Sequence, residues 1–280
     1  MIHLTQICLI ISVHITAKLG YNLYHKIARE RSEMMITVWI DGKVLETDKI
    51  QEWETARVKA SQKKLNKKTG KHIQVTNADE LAEAKAAMSD EEMLQAYKRE
   101  LSFSNFVTNI VVRLSGKKRK FSVTEIDVDF CDSKQLSHLY DDMMLNNTPD
   151  NRYCCLRANP DHYLLRGTTG NTQEVLEATG GLPVVSLFDI HYGDFAGLQS
   201  LKDEDYPLQA AGVSYLKNGL AIGAVRHQMK DTESGCHIKL TVEFPLLMPK
   251  RNIKIHQYHL ACEFYNWFSE FEKRTKEHKI

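Results

Sequence analysis

His259 and Glu263 stand four residues apart in IKIHQYHLACEFYNWF, a stretch with helical patterning, so their side chains share one helix face. An imidazole nitrogen and a carboxylate oxygen placed that way can take hold of one metal ion, zinc above all. His256 and Asn266 fall close to the same stripe, and Tyr258, Phe264, Tyr265, Trp267 and Phe268 flank it. A fully solvated polar face is hard to arrange among so many rings. The spacing alone equally fits an ordinary His/Glu contact on a helix, so further ligands are needed. Segments of strand or strand-edge character offer His162 in NPDHY, Glu177 in QEVLEATGG, His191 in FDIHYGD and His227 in VRHQM. His191 with Asp189 and Asp194 makes a rival cluster, although His-Tyr-Gly-Asp at a strand end also reads as a turn. No Ser/His/Asp set competes, and GTTGN after Arg166 lacks the lysine and spacing of a phosphate loop.

Those residues need a frame. From Met35, MITVWIDGKVLE reads as a strand with a turn at Asp41-Gly42, and a helix-like stretch follows into the basic run Lys59 to Lys71. The run holds no aromatic residue and so lacks the stacking rings of a nucleic-acid groove; it reads as a solvated helix end or loop. Asn77 with Glu80, and Ser89 with Glu92, are capping boxes that open two successive helices. The second helix carries Met93, Leu94, Tyr97 and Leu101 at core spacing. With Phe103 to Leu114, this makes a small N-terminal α/β portion over residues 35–115 that shows no chemistry of its own.

After the basic turn Lys117 to Lys120 the character changes, and FSVTEIDVDF alternates apolar and polar residues with period two. YCCLRA, QEVLEAT, VVSLFDIHY, AAGVSYL, LAIGAVRHQM and CHIKLTVEF continue as strands of an antiparallel meander, with Asn218-Gly219 as the strongest hairpin signal. Pro245 and Pro249 stop the sheet, and an amphipathic helix runs on from about Asn252. The expected fold is α+β: a helix-grip (Bet v 1-like) domain over residues 116–280, in which a curved antiparallel sheet surrounds a long C-terminal helix and leaves a ligand cavity.

A chain of 280 residues with 42% hydrophobic residues can bury a sizeable core. Its formal net charge of +1 supplies no global field toward nucleic acid or an anionic membrane, so a charge-led partner needs a local patch. The cysteines (Cys8, Cys131, Cys154, Cys155, Cys236, Cys262) form no C-x-x-C pair, which points to a reducing cytoplasm and to Cys154 and Cys155 as buried filler. Residues 1–34 include the apolar ICLIISVHI, which lacks the basic flank of a signal peptide and is short for a membrane span. They read as a weak anchor or an overlong gene start.

The order of short motifs over about residues 143–268 resembles the diacetylphloroglucinol hydrolase and phloretin hydrolase family. The pieces are Met143-Met144, Arg152-Tyr153, a proline–histidine element ending at His162, and E-x-x-G-x-x-P at Glu177, Gly180 and Pro183. G-x-x-Y-L follows at Gly212, Tyr215 and Leu216, then His227 eight residues before Gly235, then H-x-x-x-E-F at His259, Glu263 and Phe264. The resemblance implies zinc held by His162, Glu177, His259 and Glu263 in a helix-grip domain behind a smaller N-terminal domain. It also implies hydrolysis of the carbon–carbon bond between an acyl group and a phenolic ring. His227 would pass the proton to the departing ring carbon, and Tyr153 is the candidate contact for a ring hydroxyl. Two connections are shorter here than in the family, and the family's substrate-contacting tyrosine falls on Val242, so the pocket above the ligands differs.

The partner expected is therefore a small phenolic ketone, with neither nucleic acid nor a membrane, and with a homodimer left open. Two other readings stand beside the hydrolase. One is a non-catalytic protein whose cavity binds an apolar or aromatic ligand. The other is a membrane-tethered interaction protein that uses residues 1–33 and the basic run.

Overall fold

A computed structural model describes residues 36–277; the reading of residues 1–34 lies outside them. Strands β1 (Ile36–Ile40) and β2 (Lys43–Leu45) form a hairpin turned by Asp41 and Gly42. Both turn residues take positive φ, as a two-residue hairpin turn requires. The basic run falls mostly in α1 (Thr47–Thr69), which closes on Gly70. Asn77 and Ser89 cap α2 (Ala78–Ala86) and α3 (Asp90–Ser115). Ser89 and Glu92 satisfy each other reciprocally, whereas the Glu80 carboxylate accepts from the Thr76 N–H instead.

After β3 (Arg119–Val128) the chain forms α4 (Ser133–Leu145), opened by an Asp132/Gln135 capping box, and α5 (Pro149–Ala158). The YCCLRA segment is thus helix, not strand. Thr148 accepts a hydrogen bond from the Asn151 N–H, and Pro149 occupies the first helical position, where its missing N–H costs nothing. That local start outweighs the strand preference of Tyr and Cys. Strands β4 (His162–Gly167), β5 (Thr172–Glu177), β6 (Ser186–Tyr192), β7 (Leu208–Tyr215), β8 (Ala221–Asp231) and β9 (Cys236–Pro245) then form the meander, and α6 (Lys250–Glu277) follows.

All nine strands belong to one antiparallel sheet in the order β2-β1-β3-β9-β8-β7-β6-β5-β4. Because side chains alternate along a strand, one face carries Ile126 and Val128 of β3, Ile238 and Leu240 of β9, Val225 and Met229 of β8, and Val175 of β5. Leu260, Phe264, Trp267, Phe268 and Phe271 of α6 pack on that face, together with Tyr140, Met143 and Met144 of α4. A second core holds Tyr163 and Leu164 of β4 and Leu176 of β5 against Leu65 of α1, Leu81 of α2 and Tyr97 of α3. β4 and β5 therefore lie between helices on both sides. Cys131, Cys154, Cys155, Cys236 and Cys262 are free and buried. No helix among the described residues is long and apolar enough to cross a membrane.

Candidate metal centre

Two local rules each bring a histidine beside a glutamate. On the sheet, His162 opens β4 directly opposite Glu177 at the end of β5, so the pair points from adjacent strands into one space. On α6, His259 and Glu263 are one turn apart. The two pairs face each other. His162 Nε2 lies 3.7 Å from Glu177 Oε2 and 3.7 Å from Glu263 Oε1; His259 Nε2 lies 3.6 Å from Glu177 Oε2 and 3.5 Å from Glu263 Oε2. These separations are long for hydrogen bonds. Donors held about 2.0–2.2 Å from one ion in tetrahedral array stand roughly 3.3–3.6 Å apart, so His162, Glu177 and His259 are close to the spacing that a shared ion needs.

The environment of His162 fits a ligand. Its Nδ1 is 2.8 Å from the Cys155 carbonyl oxygen, which fixes the N–H on that nitrogen, and its buried Nε2 has no hydrogen-bond partner and aims at the carboxylates. All four side chains are buried. A buried His162, Glu177, His259 group could hold a metal ion, and Glu263 lies beside both imidazoles, with Oε1 toward His162 and Oε2 toward His259.

The four groups also set one another's charge. Burial opposes ionisation of Glu177, but the neighbouring His259 outweighs it and holds the carboxyl down at about 2. Burial likewise opposes the His259 imidazolium, which Glu177 nevertheless raises to about 9. Glu263 is pushed up to about 8 by burial, and His162 down to about 3 by burial and the adjacent His259. Near neutral pH, Glu177 is thus an anion beside the His259 imidazolium, while burial keeps Glu263 protonated. A divalent cation would take the place of the protons on His259 and Glu263.

Several residues hold the pairs in place. The Asn159 amide donates to the His259 carbonyl at 3.1 Å and its oxygen accepts the Asp161 N–H at 2.9 Å, tying the entry of β4 to α6. Lys85 donates to the Pro160 and His162 carbonyls, each at 2.6 Å, and Arg57 grips Asp161 through two hydrogen bonds. Gly180, at φ 60, lets the turn after β5 approach the His256 backbone, where a Cβ would stand 3.1 Å from the His256 Cα. That contact gives the glycine of E-x-x-G-x-x-P a physical reason. His256 stacks on His259 at 5.3 Å and its Nδ1 meets Ser122 Oγ at 3.0 Å.

Glu177, His259 and Glu263 line a cavity of about 350 Å³ between the sheet and α6, large enough for a small organic ligand. His227, one residue pair along β8 from both Val225 and Met229, shares their face and lines the same cavity. Its ring lies edge-on to Phe264 at 5.2 Å, and burial lowers its pKa to about 4. Val242 is also in the wall.

Tyr153 is not brought to this site. It sits on α5 with its hydroxyl 3.3 Å from Asp79 and is absent from the cavity lining. The phenols that do reach the cavity are Tyr140 of α4 and Tyr192 of β6, whose hydroxyls are 3.2 Å apart; Tyr192 goes on to Gln173 at 3.2 Å. Asp132 and Gln135 could have exposed α4, and hence Tyr140, at the level of sequence. Asn266 points elsewhere, to Glu54 and the Ala158 carbonyl, and the His191 cluster disperses, with Asp189 on Lys217 and Asp194 on Tyr215. No known protein family and no curated protein gives a significant match to the chain.

Proposed function

We propose that this protein is a zinc-dependent hydrolase that cleaves the carbon–carbon bond between an acyl group and a phenolic ring in an acylphloroglucinol-like ketone. The observation that carries the reading is the meeting of the His162/Glu177 and His259/Glu263 pairs in the wall of a cavity that also presents His227. We also read the sheet, α6 and the space between them as a helix-grip (Bet v 1-like) arrangement. Zinc fits two imidazoles with two carboxylates, and a cysteine-free set is more typical of catalytic than of structural zinc.

When bound, such an ion supplies Lewis acidity toward a ketone oxygen and a water of lowered pKa. The chain's own residues do the rest. The net reaction adds the hydroxyl of water to the acyl carbon and its hydrogen to the ring carbon, giving a carboxylic acid and a free phenol. Carbon leaves only if the ring accepts that proton, as in the keto form of the phenol. His227, kept neutral by its burial, would take that proton from the water that adds to the acyl carbon and pass it to the ring carbon. Tyr140, hydrogen-bonded through Tyr192 to Gln173, would orient ring hydroxyls, in place of the missing phenol at Val242.

The test uses the purified full chain. Metal analysis should find one zinc per chain, lost in Glu263→Ala. Chromatography should then show a carboxylic acid and a phenol released in equal amounts from acylphloroglucinols, and His227→Ala should lower kcat by about 10²- to 10⁴-fold while zinc is retained. A protein without stoichiometric metal, whose Glu263→Ala variant keeps the same stability and ligand affinity, would sink the hydrolase. Zinc and tight phenol binding without turnover would establish the ligand-binding protein instead.

A further inference from the structure

The C-terminal half of α3 has two apolar aspects. Ser104, Val107, Thr108 and Val111 line the cavity. Phe103, Phe106, Ile110 and Leu114 form a separate stripe at helical spacing that faces solvent, with exposures of 60%, 65%, 43% and 71%. Nothing in the core calls for four large apolar side chains there, and a contiguous patch of this kind marks a contact surface. Exposed Phe121 and Leu247 lie in the segments just beyond the end of α3 and its neighbouring turn.

The patch is rimmed by positive charge. Arg113, Lys117 and Lys118 stand at the end of the stripe, and the first turn of α6, just past the turn from β9, adds Lys250 and Arg251. The connection from β9 to α6 is fastened to the end of α3, for the Leu247 N–H donates to Ser115 Oγ at 3.0 Å and the Leu246 N–H to the Lys118 carbonyl at 3.1 Å. None of these five cations makes an ion pair among the described residues. No acidic residue occurs from Leu101 to Thr124, nor from Phe244 to Cys262. The surroundings are also the mouth of the cavity: Val107, Pro183, Leu247 and Pro249 both line it and are exposed.

We propose that this face docks on an anionic phospholipid bilayer, with the stripe of α3 in the headgroup layer, so that the cavity opens onto the lipid and takes its apolar ligand from there. Bulky apolar side chains beside unpaired lysines and arginines are what an interfacial helix presents to an acidic membrane. A second copy of the chain is the poorer occupant. A twofold contact through the stripe would bring the two sets of cations together with no carboxylate to answer them. The docking is independent of the metal reading; it specifies a lipophilic ligand whether that ligand is hydrolysed or only bound.

Vesicle co-sedimentation of the full chain decides the matter, with phosphatidylcholine vesicles with and without phosphatidylglycerol. The chain should bind the anionic vesicles and leave them as salt is raised. Phe103→Glu/Phe106→Glu and, separately, Lys117→Glu/Lys118→Glu should each lower partitioning about tenfold or more while thermal melting and zinc content stay those of the wild type. Wild-type protein that ignores anionic vesicles overturns the proposal. So does undiminished binding by either variant, which would place the membrane contact outside this face. A wild-type dimer that Phe103→Glu/Phe106→Glu converts to monomer, with vesicle binding unchanged, would assign the stripe to a second copy.

Discussion

Asn159 does for the candidate centre what none of the four donors can do for themselves. His162 and His259 come from different layers, and the Asn159 side chain reaches from the start of one to the backbone of the other. Asn159→Ala leaves the Asp161 N–H buried without its partner and cuts the tie to the His259 carbonyl, which keeps only its place in the helix, so it should cost about 1–3 kcal/mol of stability and weaken zinc binding about 10- to 100-fold. Asn266→Ala is the control. It also removes buried hydrogen bonds to α5, at the Ala158 carbonyl, but its partners lie off the centre, so zinc affinity by competition titration should hold. The same residues show what sequence discloses. The α6 pair is legible because helical spacing fixes it whatever the neighbours do. His162 opposite Glu177 is not legible from spacing, since strand register depends on the hairpin between them; only the motif order pointed there. Tyr153 also rested on the motif order, and the helix that Thr148 and Pro149 open carries it to Asp79 instead of the cavity.

Among the elements, the turn after β5 sets how closely the sheet's donors approach those of α6. Gly180 occupies a left-handed conformation against the His256 backbone. Gly180→Ala must bear both the cost of that conformation and the displacement of α6, together about 2–4 kcal/mol in urea unfolding. Gly219→Ala isolates the first cost: at φ 81 its added Cβ meets nothing within 4 Å, and about 1–2 kcal/mol is expected. Equal losses in the two variants would remove the packing role of Gly180. The meander from β5 to β9 was readable from alternation and from Asn218-Gly219, and α6 from its aromatic stripe. Helix α4 escaped notice because its opening Asp132 follows directly on a strand-like run, and with it went Tyr140.

Taken as a whole, the molecule joins its layers through a few charged contacts, and Glu100 is the clearest. It lies on α3, accepts from Lys64 and from the Val185 N–H, and pairs with Lys68, so it links α1, α3 and the approach to β6. Burial opposes its ionisation, but those partners outweigh it and hold the carboxyl below the ordinary 4.5. A carboxyl depressed by folding stabilises fully above its unfolded value, and that share is lost as pH falls through the folded value. Glu100→Gln should therefore be less stable by about 2–3 kcal/mol near neutral pH, with the two unfolding curves converging below pH 4.5. A gap that persists unchanged into acid would mean the link is steric.

The division of the candidate centre between a hairpin and a helix has a further consequence. Strands β6 to β9 intervene between Glu177 and His259, so an ion held by both pairs would close a long loop of chain much as a disulfide does. Unlike a disulfide, it can be withdrawn and returned. The width of the cavity, and the ease with which a ligand enters it, would then answer to how much free metal surrounds the protein.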